Sequence, residues 1–301
     1  MTNTLKTGDL FSPELVTEMF SKVKGHSTLA SLSAQTPVPF AGTELFTFNL
    51  EGNAQIVGEG EAKKDGKAVI ESKVIKPVKI VYQARVSDEF MYCADEKKLR
   101  YMNHFTDGFA TKIAQAFDIA AIHGLEPRSM TDASFKATNS FDGVVTDNKI
   151  VYDASKIDEN LESAVDMIVV NGGVVNGLAL SPLASSALGK IKVNNVVQYP
   201  EFKFGGRPQS FAGMKVDINA NLTNAGETGK KDHAIVGDFE KAFKWGYAEN
   251  IPMEVIEYGD PDQTGRDLKA HNEVCLRAEA YIGWGILEPS AFARIEEGAE
   301  A

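Results

Sequence analysis

Cysteine is scarce. The 301 residues contain two, Cys93 and Cys275. That is too few for a disulfide framework and fits a reducing compartment. Basic charge is also in deficit: 31 Lys and Arg stand against 42 Asp and Glu, a net charge of −11. A free-standing nucleic-acid binder usually shows a basic footprint, so this balance argues against that class. No stretch approaches the roughly 20 apolar residues of a membrane-spanning helix. The opening MTNTLKTGDLFSPEL has no apolar run behind a basic patch, so it does not read as a secretory leader.

Catalytic and cofactor signatures are missing as well. There is no G-x-S-x-G, no H-E-x-x-H and no cysteine pair at zinc spacing. The five histidines (26, 104, 123, 233 and 271) are scattered, and His104 and His123 read as ordinary surface or core side chains. Residues 60–68, GEAKKDGKA, come near a phosphate-binding loop. Gly60 and Gly66 are one residue too far apart, however, and Ala68 stands where a hydroxyl is required. Asp260, Asp262, Thr264 and Gly265 match the first half of a calcium loop, but His271 falls where a bidentate acid belongs. That stretch is expected to be a polar turn between two strands. No cofactor is implied, and the expectation is a protein without a catalytic site.

What the chain does contain is a globular composition, 43% hydrophobic and 24% charged. Its length suits one large domain or two ordinary ones, with a core that needs no staple. Ser12-Pro13-Glu14 opens a short helix whose Leu15, Met19, Phe20 and Val23 share a face before Gly25 ends it. Two or three turns cannot stand alone, so this arm must dock on its own domain or on a neighbouring subunit.

Strands are predicted at 43–51, TELFTFNLE, and at 79–87, KIVYQARVS. Between them lies a glycine-bearing polar stretch in which Val69, Ile70, Val74 and Ile75 could extend a strand. Its charges balance: Lys63, Lys64, Lys67, Lys73 and Lys76 face Glu51, Glu59, Glu61, Asp65 and Glu71. The whole of 43–87 reads as one long two-stranded excursion. A lone ribbon is marginal in water, so it is supported either by its own domain or by another chain.

The strongest helical signal runs from Asp95 to Gly124, with Leu99, Met102, Phe105, Phe109, Ile113, Phe117 and Ala120 on one stripe. Residues 125–150 are expected to form a loop. A helix from 154 to 170, a buried strand at 178–180, a helix at 182–188 and a long loop at 194–214 follow. The last third is mostly strand, with a clean alternation over 274–282.

This order of elements resembles the major capsid proteins of tailed bacteriophages, which have the Hong Kong 97-type α+β fold. Local stretches are similar too. They are Ile56-Val57-Gly58-Glu59-Gly60, Lys79-Ile80 through Val86-Ser87-Asp88-Glu89, and Phe211-Ala212-Gly213-Met214-Lys215-Val216. The closing block has Gly237-Asp238-Phe239 with Ala242-Phe243, strands at 251–258 and 273–283, and Glu288-Pro289-Ser290-Ala291-Phe292.

The resemblance implies an N-terminal arm (1–42), an extended E-loop hairpin (43–88) and a peripheral domain with a spine helix (89–150). It implies further an axial domain (151–234), and C-terminal strands completing both domains (235–301). It also implies self-assembly into hexamers and pentamers of an icosahedral head in the virion, formed in the host bacterial cytoplasm. Such a head encloses double-stranded DNA without sequence-specific binding and contacts no membrane. Expected partners are copies of the chain itself, a portal protein, and a separate scaffold or decoration protein if one is used. Candidate inter-subunit contacts are Leu15, Met19, Phe20, Glu59, Lys63, Lys64 and Lys67. Two other readings stay open on sequence alone: an encapsulin-like compartment shell, and an α/β enzyme.

Overall fold

The computed structural model describes residues 26–51, 67–92, 95–227, 229–248 and 253–298, with positions 54, 56, 57 and 59. The expected helix at 12–25 lies outside the described residues. The chain is first seen entering α1 (Thr28–Leu32), then β1 (Thr43–Glu51), β2 (Lys67–Ile75) and β3 (Val78–Ser87). A long α2 (Asp95–His123) comes next, followed by two single turns, α3 (Lys136–Asn139) and α4 (Phe141–Val144), and by β4 (Lys149–Val151). Then come α5 (Ile157–Val169), β5 (Gly177–Leu180), α6 (Pro182–Leu188), and the small pairs β6 (Lys192–Val193) with β7 (Val196–Val197) and β8 (Ser210–Phe211) with β9 (Met214–Ile218). The end is all strand: β10 (Asp232–Gly237), β11 (Phe243–Tyr247), β12 (Met253–Ile256), β13 (Glu273–Ile286) and β14 (Phe292–Glu296).

Two sheets organise the molecule. In the first, the fourteen residues of β13 pair antiparallel with β3 along one edge, and with β12 and then β11 along the other. The spine helix α2 packs on this sheet. Phe117 lies edge-on to Trp284 at 5.6 Å and beside Trp245 at 5.5 Å. At 1.5 Å per residue the 29-residue helix is a rod of about 43 Å. Gly124 ends it at φ +63°, where an added Cβ would meet Lys136.

The second sheet runs β4-β14-β10-β5-β9-β8. Its central strands are buried on both faces and so read as near-continuous apolar runs. Ala179, Ile235 and Phe292 face the core of the spine helix. Leu178, Leu180, Val236 and Ile295 face a second core built with Ile157, Leu161 and Ile168 of α5 and Leu188 of α6. One sheet is therefore shared by two cores, with no linker between them.

The structure corrects two expectations. Residues 79–87 are not a limb of the ribbon. β1 pairs with β2, from Thr43 opposite Ile75 to Glu51 opposite Lys67, and β3 leaves to pair with β13. The reason is burial: Val78 and Ile80 pack on the main core and Val86 beneath the spine helix, a gain no free ribbon provides. The segment 125–150 is not simply loop, because Ser140 caps α4 by accepting from the Gly143 N–H at 3.0 Å. His123 is a core side chain, one of the two expectations for it.

His123 joins a buried charge network where the two cores meet. Arg294, 2% exposed, donates from Nη2 to Asp142 at 2.6 Å and to Asp232 at 2.9 Å. His123 Nε2 donates to the Leu222 carbonyl at 3.0 Å, and its Nδ1 lies 3.1 Å from Asp142. Burial works against a charged ring, but Asp142 outweighs it and holds the His123 pKa above the ordinary value. Burial also opposes ionisation of Asp142, yet His123 and Arg294 keep its pKa low. Asp232 has no exposed surface, and desolvation pushes it up to about 6 against the pull of Arg294. The ligand atoms of His123, Asp142 and Asp232 lie within 4.8 Å of one another, as a metal would require. The guanidinium bridging the two carboxylates already supplies the cation.

Arg294→Met should therefore leave two carboxylates facing each other in a dry site, at a loss of about 3–5 kcal/mol in urea unfolding. A variant within ~0.5 kcal/mol of wild type would contradict this account of the network.

Candidate assembly interface

Three glycines on the first sheet position the root of the ribbon. Gly246 follows Trp245, and Gly283 and Gly285 flank Trp284, so each tryptophan fills the core from one face while the glycines leave a trough on the other. The segment before the ribbon lies in that trough. Thr36 N donates to the Trp245 carbonyl at 2.8 Å and Val38 N to the Tyr247 carbonyl at 3.3 Å. A Cβ on Gly246 would overlap the Thr36 carbonyl. On Gly283 it would come within 3.0 Å of Val38 and 3.1 Å of Ile75, and on Gly285 within 2.8 Å of Ile75. Gly42 then turns the chain outward at φ +87°.

Lys73 fastens the returning strand. Its Nζ donates to the Ile286 carbonyl at 2.6 Å, and burial lowers its pKa. Beyond the root, the ribbon's two faces differ. The register places positions 44, 46, 48 and 50 opposite 74, 72, 70 and 68, so these share a face. On it Phe46 is 65% exposed, Ile70 62% and Val74 51%. Further out, Ile56 is 98% exposed. The other face carries Leu45 opposite Lys73 and Thr47 opposite Glu71, with Ile75 buried at the base. Among the described residues, a ribbon pinned at its base thus holds an apolar face away from its own core.

The sequence-predicted contacts are distributed unevenly. Glu59 sits in an exposed turn, and Lys67 opens β2 opposite Glu51. Leu15, Met19, Phe20, Lys63 and Lys64 lie outside the described residues.

Beside the spine helix, a groove of about 1000 Å³ runs between β3 and α2, lined by Val81, Tyr82, Lys112, Ala116, Arg128 and Glu279 among others. At one end of the same sheet is the half-matched calcium loop. It is the polar turn expected between strands, and an arginine fills it. Arg85 donates to Asp260 at 2.6 Å, to Asp262 at 2.8 Å, to Thr264 at 2.9 Å and to Glu273 at 3.2 Å. Its hydrogen bonds hold the Asp262 carboxyl well below the usual carboxylate range.

Residues 7–296 match the family model described as the phage capsid family. The chain belongs to the phage capsid family. A probable major capsid protein, gp17, of Mycobacterium phage D29 is 22% identical over 301 residues, 95% of this chain and 91% of that relative. A solved chain from Mycobacterium phage Ogopogo superposes with a TM-score of 0.76 at 27% identity, over 91% of this chain and 92% of the other. A chain from Gordonia phage Cozz gives 0.71 at 23% identity, over 91% and 87%.

A phage capsid protein is a structural part of the virion, and copies of it build the shell. Family membership therefore decides against the enzyme reading, and the matched family is that of phage shells rather than of cellular compartments. Among the described residues, no helix is long and apolar enough to cross a membrane.

Gly283→Val should displace Val38 and Ile75 and tilt the ribbon from its seat. The expected loss is about 1–3 kcal/mol of subunit stability, with assembly falling more steeply than stability. Thermal melting and sedimentation of the same preparation check this, and wild-type values in both would contradict the seat.

Proposed function

We propose that the chain is the major capsid protein of a tailed phage, built on the Hong Kong 97-type fold. Its copies assemble as hexamers and pentamers into an icosahedral head around double-stranded DNA, within the host cytoplasm. The core that contains the spine helix corresponds to a peripheral domain, and the core of α5 and α6 to an axial domain. The observation that carries this reading is the ribbon's apolar face. Phe46, Ile70 and Val74 are exposed on an element whose base is fixed, so a second copy is the surface that buries them. The groove between β3 and α2 offers a place for that ribbon to lie.

Leu15, Met19 and Phe20 in the arm, and Glu59, Lys63, Lys64 and Lys67 towards the ribbon tip, are the proposed further contacts. Exposed ion pairs are worth about 0–1 kcal/mol each, but a closed shell repeats them at every interface. A net charge of −11 suits a wall that repels DNA and does not trap it during packaging. A portal protein, and a scaffold or decoration protein, would complete the assembly.

Negative-stain electron microscopy of the expressed chain, alone and with its neighbouring genes, should show capsomers, sheets or shells. A monodisperse monomer across salt and concentration would overturn the reading. Phe46→Asp should leave subunit melting unchanged and abolish assembly, because it puts an unpaired charge into the buried contact. Lys63→Glu with Lys64→Glu should likewise spare melting but make shells more fragile, most visibly at low salt, where the repulsion it introduces is least screened. Wild-type shell yield from the first variant would show that the apolar face is not a contact.

A further inference from the structure

Asp118 lies in the spine helix with none of its surface exposed. Its carboxylate accepts from four neutral donors: Ser27 Oγ at 2.6 Å, Thr28 N at 2.9 Å, Leu29 N at 3.4 Å and Asn221 Nδ2 at 2.8 Å. The first three form the start of α1, where the chain arrives from its N-terminal segment. A five-residue helix cannot hold itself, and its first N–H groups have no partner within the helix. Ser27 Oγ caps Ala30 N at 3.1 Å, while Asp118 takes the two N–H groups that remain. The cap thus comes from a residue about ninety positions away. β9 and the turn after it hold the other side: Lys215 donates to the Ser31 carbonyl, and Asn219 Nδ2 donates to the His26 carbonyl at 2.9 Å.

We propose that Asp118 is a positioning residue for assembly, latching α1 onto the spine helix and so fixing where the N-terminal arm leaves its own subunit. The role in assembly rests on reading the arm as a segment that reaches a neighbour. The latch itself is a property of one subunit and can be tested without assembly.

The latch has a built-in pH dependence. Desolvation pushes Asp118 up to about 6 from the ordinary 3.8, and the four hydrogen bonds do not reverse it. When α1 lifts away, the carboxylate is solvated and regains its ordinary value. The docked state therefore binds the proton more tightly, so docking is firmest in acid and loosens as pH rises through about 6. From β9, Asp217 faces Thr28 and Ser31; burial raises its pKa too, against Arg207 and Lys215. Its contribution has the same sign. α1 itself carries no titratable side chain, and from the 3-10 turn at 220–223 the facing group is the neutral Asn221. His123, further along the spine helix, is engaged by Asp142 and the Leu222 carbonyl.

Hydrogen exchange on the full-length, unassembled chain, corrected for the intrinsic rate, tests the latch. In the wild type the opening constant of residues 27–33 should rise about tenfold between pH 5 and 7.5, while strand 232–237 stays protected throughout. Asp118→Asn keeps an acceptor and loses the titration. It should keep 27–33 protected and remove most of the slope, and adding Asp217→Asn should remove the rest. Asp118→Ala should expose 27–33 at every pH, with cooperative unfolding of the remaining core and few closed shells.

A protected 27–33 in Asp118→Ala would overturn the latch, and a flat wild-type profile or a wild-type slope in Asp118→Asn would overturn its pH dependence. Wild-type shell yield from Asp118→Ala with 27–33 open would leave the latch in place and overturn its role in assembly.

Discussion

β13 is the strand on which the molecule depends. Its ten N-terminal residues pair with β3, and its opposite edge serves β12 and then β11. Trp284, near its end, drives into the core against Phe117 and Phe135, with Nε1 satisfied by the Asn139 carbonyl at 2.9 Å. The glycines on either side of that tryptophan are equally necessary, because they open the trough that seats Val38 and Ile75. One short run, Gly283-Trp284-Gly285, thus anchors the spine helix on one face and the ribbon on the other. Any force on the ribbon is delivered directly to the strand that holds the helix.

Polar contacts divide the labour with that apolar scaffold. Arg294, Asp142, Asp232 and His123 tie the junction of the two cores, where apolar packing alone would leave the sheet free to shift. Arg85 closes the turn at 260–265, so that carboxylates able to scatter a loop instead brace it. What the scaffold leaves uncovered is the apolar face of the ribbon. A subunit that is well packed inside extends an element with Phe46, Ile70 and Val74 outward, the face that the proposed contact with another copy would cover.

Legibility in the sequence followed the physics of each element. The spine helix is readable because its stripe repeats every three or four residues over about six turns and a glycine stops it. α6 is readable because Ser181-Pro182 sets its first turn, and Ser181 Oγ does accept from Ala184 N at 3.1 Å. The ribbon's limits are not readable, because β2 and β3 are both apolar-alternating strands separated by Lys76-Pro77. Only the length of β13, far away in sequence, decides that the second joins a sheet. The buried charges are hidden for the same reason. Asp118 stands as a lone charge in the apolar run AFDIAAI and Arg294 follows the apolar Ala291-Phe292-Ala293, and their partners lie up to 152 residues away. A charge in or beside such a run is the signal that could have marked them. The flanking pattern Gly-Trp-Gly could have marked the ribbon's seat.

Electron cryomicroscopy of the assembled particle bears most directly on the central claim. The account predicts density for residues 43–75 lying across a neighbouring subunit, with the face of Phe46, Ile70 and Val74 buried there and the root still seated against Gly283 and Gly285. A ribbon folded back onto its own subunit, or one whose apolar face stays in solvent within a closed shell, would contradict it.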